Sequence, residues 1–246
     1  ANRPDGMSVV GIAREISALL ETKLTFPDLK TKYQINVNKK FELCPKAITN
    51  NCIYSICHIS SVLGKELSPP WLQDRLYKSG IKSINLIVDI TNYILLEQGQ
   101  PLHAFDKDKL SSLIGRDVLP EDFSVRKGKH NESLLCLNGE NYDLNENVTI
   151  VACDDIPVAV AGVIGGLETA VNDNTSSIFL EGAVFNPVTV RKSSKEIGIR
   201  TESSSRFEKG ISYKNTLDSV TRAINLIEDY FNISNPIINT SIELID

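Results

Sequence analysis

Residues 85–108 read NLIVDITNYILLEQGQPLHAFDKD, and the reading of this stretch decides what the rest of the chain packs around. Leu86, Ile87, Val88, Ile90, Tyr93, Ile94, Leu95 and Leu96 leave almost no polar face on a helix, which is the pattern of an element enclosed by a core. Polar residues inside such an element are then the informative ones. Asn85, Asp89 and Asn92 recur at spacings of four and three and so share one side, with Thr91 about a quarter turn away. Gly99 is placed to end the helix as a left-handed cap, and Pro101 stiffens an exit that presents His103 beside Phe105 and Asp106. Taken alone, the polar groups either tie down a neighbouring loop or belong to a site.

The chain has 246 residues, enough for one large domain or two small ones, and its continuous patterning favours a single domain over 1–246. A hydrophobic share of 41% and a charged share of 23% exclude a disordered chain and fit a soluble globular one. No apolar run approaches the roughly 20 residues of a membrane span, and no secretory leader is recognisable, so a cytoplasmic protein is expected. Five cysteines form no C-x-x-C pair, and three histidines are too few for a zinc site, so reduced thiols and no metal are expected. A net charge of -5 argues against a long grip on a nucleic-acid backbone. Ala1 is not a methionine and a helical pattern begins by Ser8, so a segment of a longer polypeptide is expected.

From the N-terminus, Ser8 caps an amphipathic helix carrying Val9, Ile12, Ile16, Leu19 and Leu20, and Thr22 to Asn38 reads as irregular. Cys52 to Val62 reads as a strand, and Ser68-Pro69-Pro70 as a helix start, with Ser68 at the cap and Pro in the first turn, that turns Trp71, Leu72 and Leu76 inward before Gly80. Beyond Phe123 come short strands with turn signals, including a hairpin at Asn138-Gly139. SSIFLEGAVF, residues 176–185, is a strand apolar enough to be central. Asn186-Pro187 opens a helix, a long helix carries Leu217, Val220, Ile224, Ile227 and Phe231, and PIINTSIELI closes as a strand. The expected class is α+β, with mixed, largely antiparallel sheets packed with helices.

Among residues that carry chemistry, Glu181 is the most pointed. Within IFLEGAVF its carboxylate either alternates outward to solvent or pairs with something inside, and Gly182 and Ala183 leave space beside it for a ligand hydroxyl. Gly165-Gly166 lacks the spacing of a dinucleotide or phosphate loop and marks a bulge or a close approach to the backbone.

VDITNYILLEQGQPLHAFD, AGVIGG with the later FLEGAVF, and RTESSSRFEKG occur in an order and at separations that resemble the editing domain, or B3/B4 module, of the phenylalanyl-tRNA synthetase beta-subunit family. The resemblance extends to the opening NRPDGMSVVGIARE and so covers essentially the whole chain. It implies an esterase that hydrolyses tyrosine wrongly attached to phenylalanine tRNA. Carried over by position, Glu181 accepts the tyrosine hydroxyl, while His103 stands near the ester and terminal ribose with Thr91 and Asn92 as polar contacts. His103 and Asn92 are the implied catalytic groups; Pro101, Gly165, Gly166, Thr201 and Ser203 line the amino-acid pocket, and Lys82 meets terminal phosphates. His103 acts as a general base, or else a ribose hydroxyl assists the water while Asn92 and backbone N–H groups near Gly165 stabilise the oxyanion. Ser203 and Ser205 depart from the Ala and His common in that family, and Lys209 from its usual Arg. The implied partners are the acceptor end of the tRNA, the rest of the beta subunit and the alpha subunit of a heterotetramer, with no cofactor in this domain. A non-catalytic structural module and a freestanding deacylase are the competing readings.

Overall fold

Asn85 accepts a hydrogen bond from Val88 N at 3.0 Å, and Gly99 takes the left-handed conformation at φ 76°, so the central stretch is a helix closed at both ends. The structure, a computed structural model, describes residues 3–26, 29, 33–37 and 52–243. In chain order its elements begin with α1 (Val9–Leu19), β1 (Gln34–Val37), β2 (Cys52–Ser60), α2 (Pro70–Lys78), α3 (Leu86–Gln98), β3 (Leu102–Asp106) and α4 (Lys107–Ile114). There follow β4 (Phe123–Lys127), β5 (Glu132–Leu135), β6 (Asn141–Leu144), β7 (Thr149–Cys153), β8 (Ile156–Val160), β9 (Ile164–Gly165) and β10 (Ser177–Val184). The chain ends with α5 (Pro187–Glu196), α6 (Glu202–Phe207), α7 (Tyr213–Glu228) and β11 (Ile237–Glu243).

The described residues form three sheets, with orders β1–β11–β2–β10–β3, β4–β7–β8–β9 and β5–β6. Among the described residues, only the β1–β11 pair is parallel. The expected α+β class with largely antiparallel pairing is therefore the observed one. β10 is hydrogen-bonded on both edges, to β2 and β3, and all eight of its residues are buried. Its alternation divides the core in two. Ile178 and Leu180 pack with Leu72 and Leu76 of α2, Ile90 and Ile94 of α3, and Val220 and Ile224 of α7. Phe179 and Ala183 face the other way, into a cluster with Tyr54 and Phe105 of the same sheet and Phe123 and Val151 of the second sheet. The large sheet is thus covered by helices on one face and by the four-stranded sheet on the other.

Of the two readings of the polar groups on α3, the loop-tying one holds for Asp89, which accepts hydrogen bonds from Ser68 Oγ at 2.6 Å, from Ile84 N at 2.9 Å and from Ser83 Oγ ahead of the helix. Several other expectations change. Ser68 is committed to that bond and does not cap α2, whose N-cap is Pro69. Trp71 stays 38% exposed because its indole N–H donates to Tyr230 Oη on the surface. The apolar stripe of α1 (Val9, Ile12, Ile16, Leu19) is exposed, because Gly11 turns the opposite face against the backbone of Asp5. Residues 34–37, read as irregular, are a strand because β11 offers them a free edge. Two stretches given no element in the sequence reading take form here: the exit after Pro101 is the edge strand β3, and RTESSSRF contains a helix, α6.

Candidate functional site

Alternation places Glu181 on the same face of β10 as Phe179 and Ala183, between the two sheets, so the outward reading does not hold. The residue is 8% exposed, and Tyr54 Oη donates to its Oε2 at 3.0 Å. Desolvation raises its pKa from 4.5 to about 7, against the lowering effect of the Tyr54 hydrogen bond. Gly182 faces α7 instead, where an added Cβ would stand 2.3 Å from Val220 Cγ2. It therefore serves helix–sheet packing and opens no space beside Glu181.

His103 lies directly across from Glu181 in the β3–β10 register, so both side chains enter the same interlayer space. Its ring packs edge-on to Phe105, with centroids 4.5 Å apart, and stands over Gly165, where a Cβ would lie 2.5 Å from His103 Cε1. Gly165 is thus required by the histidine ring, the close approach that the Gly-Gly pair suggested. Nε2 is sealed from solvent and has no hydrogen-bond partner, and burial lowers the imidazole pKa from 6.5 to about 4. His103 is a neutral ring at pH 7. A cavity of about 60 Å³ joins these groups, with Pro101, Leu102, His103 and Glu181 on one side and Val151, Ala159, Val160 and residues 162–165 on the other. Ser203 and Phe207 of α6 complete it. Since a cavity of about 150 Å³ holds benzene, an aromatic ring requires this one to widen.

The site therefore offers a neutral imidazole, a carboxyl raised by burial and a serine hydroxyl around one small cavity. Residues 51–232 match the family described as the B3/4 domain. The chain belongs to the B3/4 domain family. It is similar to the phenylalanine–tRNA ligase beta subunit of Prochlorococcus marinus subsp. pastoris, with 81% identity over 244 residues, 99% of this chain and 30% of that one. The same-named subunit of a Synechococcus species is 45% identical over 232 residues, 94% of this chain and 28% of that one. The chain thus spans about 30% of the length of the curated relatives it matches. Among solved structures, an N-terminal fragment of the phenylalanyl-tRNA synthetase beta subunit from Pyrococcus horikoshii gives a TM-score of 0.38 at 15% identity, covering 82% of this chain and 58% of that one.

Of the residues singled out in the sequence, this B3/4 domain brings Pro101, His103, Gly165, Glu181 and Ser203 together around one cavity. Thr201 stands just behind it: it caps α6 by accepting from Ser204 N and donates to Val163 O at 2.8 Å, which fixes the helix carrying Ser203 against the cavity wall. Gly166 is buried next to Gly165, and its N–H donates to Val158 O. That amide is therefore committed to the sheet. Thr91 and Asn92 sit on α3, which covers the opposite face of the large sheet; the Thr91 hydroxyl donates to Val88 O. Lys82 is exposed in the turn before α3. None of these three lines the cavity.

Two contributors were missed in the sequence. Tyr54 is one, although the strand alternation that pairs it with Ile56 could have flagged a hydroxyl on the core face. Gln100 is the other: its amide donates to Ala183 O at 2.8 Å and its Oε1 accepts from Thr216 Oγ1, holding the exit of α3 against β10 and α7. Among the described residues no cluster of three His, Cys, Asp or Glu side chains could hold a metal, and no helix is long and apolar enough to cross a membrane.

Proposed function

We propose that this chain is the editing domain of a phenylalanine–tRNA ligase beta subunit and that its cavity hydrolyses the ester of tyrosine wrongly attached to phenylalanine tRNA. The observation that carries this is Glu181, an acceptor buried on the cavity wall opposite His103. The chemical need is real: a pocket built for Phe rejects an isostere with an added hydroxyl only by about 100-fold. A second site with a buried acceptor inverts the problem. Tyrosine satisfies the acceptor, whereas phenylalanine leaves it unpaired at a cost of roughly 1–3 kcal/mol.

Water adds to the ester carbonyl, the bond to the ribose oxygen breaks, and free tyrosine and the tRNA hydroxyl are the products. An imidazole held near 4 is a poor proton acceptor at neutral pH, which favours a route in which a ribose hydroxyl of the tRNA assists the water. His103 then orients the ester as a neutral hydrogen-bonding ring. The expected partners are the tRNA acceptor end, the rest of the beta subunit and the alpha subunit. A groove lined by Arg191, Lys195, Arg200 and Lys209, with Glu208 paired to Arg200 at 3.7 Å, adds support, because residues 200–209 border both it and the cavity and its excess of cations suits phosphate.

The narrowness of the cavity favours a second reading, a structural module without hydrolysis. Supplying the full-length ligase with tyrosine separates them. The editing reading requires tyrosyl-tRNA to accumulate with Glu181→Ala and not with the native enzyme; equal accumulation by both supports the structural module.

A further inference from the structure

Glu181 is recognisable in the sequence; what holds it is not. Tyr54 lies on β2 opposite Ala183, two positions along from the residue facing Glu181, so it is the diagonal neighbour of Glu181 on the same face. The small Ala183 side chain leaves room for the phenol to lean across. Its ring is fully buried, packed at 6.5 Å from Phe185, and its hydroxyl donates to Glu181 Oε2 at 3.0 Å. Tyr54 does not line the cavity, so it meets the carboxylate from behind. A carboxylate has about four acceptor sites, and one internal donor leaves the others for a ligand.

Among the described residues, the titratable groups facing this pair are few. His103 faces Glu181 from β3 and is neutral near pH 7, and Cys153 of β7 lies by Tyr54. No cation lines the cavity. The Tyr54 hydroxyl is therefore the contact that favours the ionised carboxylate against burial.

We propose that Tyr54 is the positioning residue for hydroxyl selectivity: its phenol clamps one oxygen of Glu181 from behind the cavity wall, so that the remaining acceptor positions of the carboxyl are held toward a substrate hydroxyl. This rests on the editing reading. A charged acceptor makes a hydrogen bond roughly twice as strong as a neutral one, so selectivity follows the ionisation of Glu181. In the native enzyme the preference for tyrosyl over phenylalanyl ester rises as pH passes about 7.

The test is this selectivity profile, measured between pH 5.5 and 9 as roughly bracketing conditions, on the full-length ligase carrying Tyr54→Phe. Losing a hydrogen bond to a charged group moves the midpoint up by about one pH unit or more. At pH 7 the ionised fraction then drops from about one half to about one eleventh, and selectivity falls about fivefold. Difluorotyrosine at position 54, a stronger donor of nearly the same shape, moves the midpoint down and guards against a folding defect in the first variant. A tyrosyl preference whose midpoint neither replacement moves overturns the role of Tyr54 alone. The absence of any tyrosyl preference in the native enzyme at every pH overturns the editing reading, and this proposal with it.

Discussion

Replacing Glu181 by Gln changes how stability depends on pH, in a direction that burial fixes. Glu181 is raised from 4.5 to about 7, so between these values the folded chain keeps a proton that the unfolded chain has released. Stability contributed by this group is therefore full below pH 4.5 and falls as pH rises to about 7. At about 1.4 kcal/mol per unit, the total is about 3 kcal/mol. His103 works in the opposite sense. Held at about 4 against 6.5, it contributes stability that is full above 6.5 and lost as pH falls toward 4. Between pH 4.5 and 6.5 the two slopes oppose each other in the native chain. Glu181→Gln removes one of them. Urea unfolding of the native chain and the variant at a series of pH values gives the difference in stability, in which all other titrating groups cancel. The variant should gain about 3 kcal/mol on the native chain from pH 4.5 to 7, and His103→Gln should show the mirror image over its own window. A difference for Glu181→Gln that stays level with pH would refute the reasoning, because the carboxyl would then titrate alike in both states and could not be buried between the sheets.

His103→Ala should slow tyrosyl-ester hydrolysis by roughly tenfold or less, whereas a loss on the order of 100-fold or more in single-turnover assays would restore it as the general base. Gly182→Ala should destabilise the chain by about 1–3 kcal/mol in urea, because its Cβ meets Val220 of α7, and should leave selectivity for the tyrosyl ester intact. Cys57, Cys136 and Cys153 are buried, with thiols pushed up to about 12, 11 and 12, so they should react with a disulfide reagent at pH 8 only after unfolding. Fast labelling of all three in the native chain would contradict their burial.

The central helix was legible because its apolar residues are nearly continuous and both caps, Asn85 and Gly99, are local signals. β10 was legible as a strand, but the direction of Glu181 was not. Both faces of that strand are buried, so alternation along IFLEGAVF carries no polar side to orient it. The partner that settles the direction, Tyr54, is 127 residues away in sequence. Long-range pairing also hid β1, which exists only because β11 lies beside it. ESSSRF contains poor helix formers, and α6 is held by the Thr201 cap and by Arg206 reaching Met7 O. The α1 helix period was readable, but its orientation depends on Gly11 meeting the preceding turn. Around the site, the resemblance of motifs named five residues that do converge on the cavity. It also named Thr91, Asn92 and Lys82, which local spacing could not show to lie on or beyond the helical face of the sheet.

The most direct test is the ratio of hydrolysis rates for tyrosyl and phenylalanyl esters on phenylalanine tRNA, measured with the full-length ligase in its native form and as Glu181→Ala. An acceptor left unpaired by phenylalanine should give the native enzyme a ratio of about 10 or more in favour of tyrosine, collapsing toward one in the variant. A ratio near one in the native enzyme, or a tyrosyl preference that survives loss of the carboxylate, would contradict the assignment of this cavity as an editing site built on Glu181.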